Sequence, residues 1–121
     1  MQLVSDARAI AIDRIRYMLD AARAVEAYTS RGREAFDSDP AVHDAILYQI
    51  VVLGEAAKAV VKADAALADE LSTVESSLLA RMRDCVAHRY WKTDHEIVWA
   101  AAIKDIPELR ATPSTAIARL A

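Results

Sequence analysis

From Asp39 to Ala63 the chain places Val42, Ile46, Ile50, Leu53, Ala57 and Val60 at intervals of three and four residues. That spacing lays six apolar side chains along one stripe of an α-helix and suits no strand, whose faces alternate every second residue. The start is equally marked. In D-S-D-P-A-V-H, Asp39 can accept from the free N–H groups of the first turn, and Pro40 fits the first helical position, where no donor is needed. Leu47, Val51 and Val52 are apolar but off the stripe, so this helix is expected to be covered on more than one side. Gly54 sits mid-helix at a cost of about 1 kcal/mol relative to Ala, and close approach of a neighbouring backbone is the reading.

A helix this well defined in a chain of 121 residues with 2 Gly and 3 Pro sets the fold class, because the two main helix breakers are nearly absent. A first helix is predicted from Ser5 or Asp6 to about Tyr28, with Ile12, Ile15, Leu19, Ala22 and Val25 on its inner face. Thr29–Ser38 breaks that pattern around Gly32. Residues 64–71 fit either a short helix or a loop. Ser72-Thr73-Val74-Glu75 matches a capping box and predicts a helix from Thr73 to about Tyr90, with Leu78, Leu79, Met82 and Val86 inward. Thr93-Asp94 restarts a helix through Ile97, Val98, Ala101 and Ile103, until Pro107 forces a new start, and a last segment is interrupted by Pro113. The expectation is a single all-α domain over residues 1–121, an antiparallel bundle of four to five helices.

Several function classes are disfavoured by composition. The lone cysteine, Cys85, can form neither an internal disulfide nor a cysteine-based zinc site, which suits a cytoplasmic protein. The stretch MQLVSDARAIAIDRIRYML has no long uncharged apolar run, so neither a signal peptide nor a membrane span is expected. His43, His88 and His95 lie in three different segments without metal-binding spacing, so no metal and no cofactor is expected. A net charge of −3 leaves nucleic-acid contact to a local patch.

One such patch exists. Residues 81–92 carry Arg81, Arg83, Arg89 and Lys92 against Asp84 alone. Within them a histidine can move the proton of a ribose 2′-hydroxyl or of a leaving oxygen, and an arginine can hold a phosphate and the charge that develops on it. Asp84 and His88, four apart, share a helix face, so the carboxylate can orient the imidazole. Arg83 and His88, five apart, point about 140° away from each other on a regular helix. Their convergence needs an irregular helix end or a second copy of the segment. By itself, an arginine five residues before a histidine is a weak signal.

The surroundings are more specific. R-D-C-V-A-H-R-Y resembles the R-x4-H-x-Y signature of HEPN-domain proteins, in particular the HepT-like toxins of MNT/HEPN toxin–antitoxin pairs. L-G-E-A-A at Leu53–Ala57, V-W at Val98-Trp99 and D-I-P-E-L at Asp105–Leu109 resemble further elements of that family in the same order. The likeness runs from Phe36 to Leu109. It implies a homodimer whose two motif segments meet in one cleft, and metal-independent endoribonuclease cleavage of RNA that leaves cyclic phosphate ends. By position, Arg83 and His88 would be the catalytic pair and Asp84 a supporting, orienting group. Arg81, Arg89 and Lys92 are candidate RNA or nucleotide contacts. The implied partner is an MNT-type nucleotidyltransferase antitoxin that transfers AMP to Tyr90. The alternative function is a non-catalytic binding or substrate module for such a nucleotidyltransferase, and a third is a plain dimeric scaffold. Asp84 stands where the family often has asparagine, and Arg89 where it usually has glycine.

Overall fold

The computed structural model describes residues 2–70 and 94–107. Its elements are α1 (Gln2–Thr29), α2 (Arg33–Ser38), α3 (Pro40–Ala63), α4 (Ala65–Glu70) and α5 (His95–Ala100), which continues into a π turn (Ala101–Asp105). Among the described residues there is no strand, and the fold is the expected all-α bundle. None of the described helices is long and apolar enough to cross a membrane. The predicted capping box at Ser72, its helix to Tyr90 and the segment broken by Pro113 lie outside the described residues.

α3 follows its sequence closely. The Asp39 carboxylate accepts from the Ala41 N–H at 3.0 Å, Pro40 takes the first helical position, and all six stripe residues are buried. Asp39 works twice, since its own N–H closes the end of α2 on the Ala35 carbonyl at 2.9 Å. Gly54 is buried within the helix.

The partner of α3 is α1. Arg8, early in α1, donates through Nε to Asp64 Oδ2 at 3.0 Å, and Asp64 directly follows the last residue of α3. The beginning of one helix therefore lies beside the end of the other, and the pair is antiparallel. Between them α1 buries Ala11, Ile15, Met18, Leu19, Ala21, Ala22 and Val25. Ile12, expected inside, lies only half-buried at the edge of this face. α1 also starts earlier than Ser5 or Asp6, because the residues ahead contain neither glycine nor proline to stop it.

Two other differences have local causes. The break expected over Thr29–Ser38 is confined to residues 30–32. Gly32 there adopts a φ of +91°, the left-handed region that suits glycine, and α2 follows at once. A six-residue helix is too short to show a period, yet it delivers Phe36 fully buried to the core. Within residues 64–71, open between helix and loop, Ala65–Glu70 form α4. The second carboxylate oxygen of Asp64 accepts from the Leu67 N–H at 3.0 Å, and Leu67 is fully buried.

α5 runs through Ile97, Val98, Ala101 and Ile103 as expected, with a π turn that was not foreseen. Val98, Ala101, Ala102 and Ile106 are buried, and Ile97 and Ile103 are 59% and 51% exposed. In the π turn the Ile106 N–H reaches five residues back to the Ala101 carbonyl, and one extra residue per turn moves the side chains that follow round the axis. Helix includes Pro107, the last described residue of this segment, and the new start expected after it lies outside the described residues. A proline ring clashes with the carbonyl four residues back in an α-helix, and a widened turn relieves that clash.

Asp64 joins three elements, and acid should reveal it. Hydrogen bonding from the Leu67 N–H, then from Arg8, holds its carboxyl below the ordinary value of 3.8. Its contribution to stability is therefore complete above about pH 4 and fades as pH falls through the lowered value. Asp64→Ala should cost about 1 kcal/mol at neutral pH as a lost helix cap. It should also flatten the acid limb of a urea-midpoint against pH curve, and an unchanged limb would refute the assignment.

Candidate functional site at the exit of the arginine–histidine motif

Arg81, Arg83, Asp84, His88, Arg89, Tyr90 and Lys92 all lie outside the described residues. What is described is the chain that leaves the motif. Asp94 comes four residues after Tyr90, and its carboxylate caps α5 by accepting from the Glu96 N–H at 2.8 Å. α5 then sets its first turns against α2 and the start of α3.

The contact is a stack of rings on Phe36. The Phe36 ring lies 5.1 Å from His43 of α3, 4.5 Å from His95 and 5.1 Å from Trp99 of α5, all tilted. His43 and His95 are nearly parallel, 10° apart in plane and 4.6 Å between centroids. Each imidazole has a carboxylate beside it. His43 Nδ1 is 3.1 Å from Asp44 Oδ1, and His95 Nε2 is 3.6 Å from Asp37 Oδ1. The sequence placed these histidines in separate segments, and the fold brings them face to face. A partial signal was present: His95 and Trp99, four apart, share one face of α5.

Arg33 closes the outer edge. Its guanidinium lies 6.0 Å from the Phe36 ring centre and 5.9 Å from that of Trp99. It donates through Nε to Asp37 Oδ1 at 2.8 Å and with both terminal nitrogens to the Glu96 carboxylate. Those bonds, Glu96 first and Asp37 second, raise the arginine above its ordinary value. The bond from Arg33 holds Glu96 below its own. Among the described residues the junction's one close arginine is already taken up, and with Asp37, Asp44 and Glu96 around it these groups form a clasp. Among the described residues no group of three His, Cys, Asp or Glu side chains could hold a metal ion.

A helical bundle whose α5 leads out of an arginine–histidine–tyrosine segment agrees with comparison to known families. Residues 18–116 match the family described as "Ribonuclease HepT-like", and the chain belongs to that family. Among curated proteins it is 31% identical over 98 residues to "Probable ribonuclease HepT" of Thermococcus cleftensis, covering 78% of this chain and 86% of that one. It is 33% identical over 76 residues to "Putative RNase TTE0752" of Caldanaerobacter subterraneus subsp. tengcongensis, covering 63% and 65%. It is 29% identical over 105 residues to "Putative RNase MJ1216" of Methanocaldococcus jannaschii, covering 87% and 82%. The chain thus spans just under two thirds of the Caldanaerobacter protein. No solved structure matches it.

The clasp predicts an uneven response to substitution. Phe36→Ala removes the ring under three partners and should cost about 3–5 kcal/mol in chemical denaturation. Arg33→Gln, at the exposed edge, should leave the denaturation midpoint close to that of the unsubstituted chain. The reverse order would show that the ion pairs, and not the ring stack, hold α5 in place.

Proposed function

We propose that this chain is the toxin component of a toxin–antitoxin pair, a metal-independent endoribonuclease acting in the cytoplasm through a site shared across a homodimer. The observation that supports this is the match to the HepT-like ribonuclease family over residues 18–116, which span Arg83, His88 and Tyr90. The relatives named as ribonucleases agree in kind.

The chemistry asked of the motif is in-line transesterification. The 2′-hydroxyl oxygen attacks the adjacent phosphorus and gives up its proton. The bond to the 5′-oxygen breaks, and that oxygen takes a proton. The products are a 2′,3′-cyclic phosphate and a free 5′-hydroxyl. His88 moves a proton in this exchange, Arg83 binds the phosphate and the charge that builds on its oxygens, and Asp84 orients His88. Arg81, Arg89 and Lys92 draw in the RNA backbone. Because Arg83 and His88 diverge by about 140° on a regular helix, a second motif segment completes the set.

Control falls to Tyr90. An MNT-type nucleotidyltransferase antitoxin moves AMP from ATP to the phenol oxygen and releases pyrophosphate. The added group brings bulk and negative charge to where RNA phosphates sit, so binding is lost by steric block and repulsion.

Purified protein incubated with total RNA and EDTA should cleave it, and Arg83→Ala or His88→Ala should each lower the rate at least ~100-fold. Intact RNA from a folded, unmodified sample would overturn the ribonuclease reading and favour the non-catalytic substrate module. After incubation with the nucleotidyltransferase and ATP, intact mass should rise by AMP units that Tyr90→Phe abolishes. A mass gain that survives Tyr90→Phe would sink the assignment of the control residue.

A further inference from the structure

His95 is the first residue of α5 and follows Tyr90 by five positions. Its ring is held by two elements at once. It lies 4.5 Å from the Phe36 ring of α2 and runs parallel to the His43 ring of α3 at 4.6 Å. Its Nε2 also lies 3.6 Å from Asp37 Oδ1. The two residues that follow do not reach the core. Glu96 and Ile97 are exposed, and burial in α5 starts at Val98. Among the first three residues of the helix, His95 alone sets a ring against the buried Phe36.

Covalent geometry turns this contact into a constraint on the motif. Each residue spans at most about 3.6 Å, so a fixed His95 keeps Tyr90 within about 18 Å of it. If His95 lets go, the next buried anchor is Val98, eight residues after Tyr90. The limit then grows to about 29 Å, and the volume open to Tyr90 rises about fourfold. The Asp94 cap does not prevent this, because it belongs to α5 and moves with it. The Arg33–Glu96 pair lies at the exposed edge and holds weakly. Misplacing reacting groups by about 1 Å can cost about a hundredfold in rate. Losing the His95 ring costs the fold far less, since its side chain is 42% exposed and Phe36 keeps His43 and Trp99 against it.

We propose that His95 is a positioning residue for the motif: stacked against Phe36 and His43, it fixes the head of α5 and with it the chain that carries Tyr90 and His88. This deepens the proposed ribonuclease and rests on that reading for its effect on cleavage. The stacking itself is argued from α2, α3 and α5. It asks for a planar ring and not for an imidazole, because the Asp37 contact joins two exposed groups and adds little.

Steady-state cleavage of a labelled RNA separates positioning from plain stability. His95→Ala should keep the helical circular dichroism and lower kcat at least ~10-fold, with KM within about twofold. His95→Gln, a second variant without a ring, should do the same, and His95→Phe should restore the rate. Asp64→Ala, which weakens the far end of α3, should leave kcat of the folded protein unchanged. A second readout needs no RNA. The chain has two tryptophans, Trp91 and Trp99, so Trp99→Phe leaves the one beside Tyr90 as the sole fluorophore of its kind. In that background His95→Ala should enlarge the fast phase of the Trp91 fluorescence-anisotropy decay, and His95→Phe should not. An unchanged decay overturns the proposal. So does a changed decay with an unchanged kcat, or a His95→Phe chain as slow as His95→Ala. An unsubstituted protein that leaves RNA intact removes the ribonuclease reading, and the anisotropy then decides the positioning role by itself.

Discussion

The antiparallel contact of α1 with α3 is what the rest of the described structure depends on. Fifteen buried apolar side chains from the two helices supply most of the core among the described residues. Burial at roughly 25 cal/mol per Å² makes that seam the dominant favourable contribution. Asp64 fixes its end. One carboxylate oxygen ties back to Arg8 of α1 and the other caps α4, so α4 leaves α3 in a set direction and Leu67 enters the core. At the opposite end Asp39 joins α2 to α3 by similar means, and Phe36 enters the core from there. Both devices place a short, independently marginal helix by hydrogen bonds at the end of a long one.

Fastening α5 follows from this frame. Asp94 starts the helix, the rings of His95 and Trp99 lie on Phe36, and Arg33 ties Glu96 to α2. Phe36 at the centre of the stack is fully buried while the Arg33 and Glu96 side chains are exposed, so the apolar part is expected to be the stronger hold. Since Asp94 follows Tyr90 by four residues, the chain leaving the motif enters a helix packed on the buried Phe36. A catalytic segment needs such a neighbour, because small displacements of reacting groups are costly in rate.

How much of this the sequence disclosed depends on how far each signal travels along the chain. α3 was legible nearly to the residue because its cap, its proline and its period all point one way. Helix α2 was missed, since six residues cannot show a period, and the burial of Phe36 is set by contacts with residues 43, 95 and 99. The helix after Asp94 was legible from its cap and period, whereas the π turn at Ala101–Asp105 has no sequence signature of its own. The pairing of His43 with His95 joins residues 52 positions apart and leaves no local trace. The motif residues were found by spacing, charge and resemblance, which bear on chemistry without fixing geometry.

Two features read separately from the chain each leave a demand that one copy of the fold does not meet. An arginine and a histidine five residues apart diverge on a regular helix, so one copy of the motif is geometrically short of a partner. α3 has more apolar surface than one core can cover, and the fold leaves Tyr48 and Tyr17 in solvent at the edge of an open groove. A chain with only the first feature could answer it with an irregular helix end; one with only the second could bind any helix. Within the proposed function, a second copy of the motif answers the first demand, and the exposed row of α3 asks for a partner of its own.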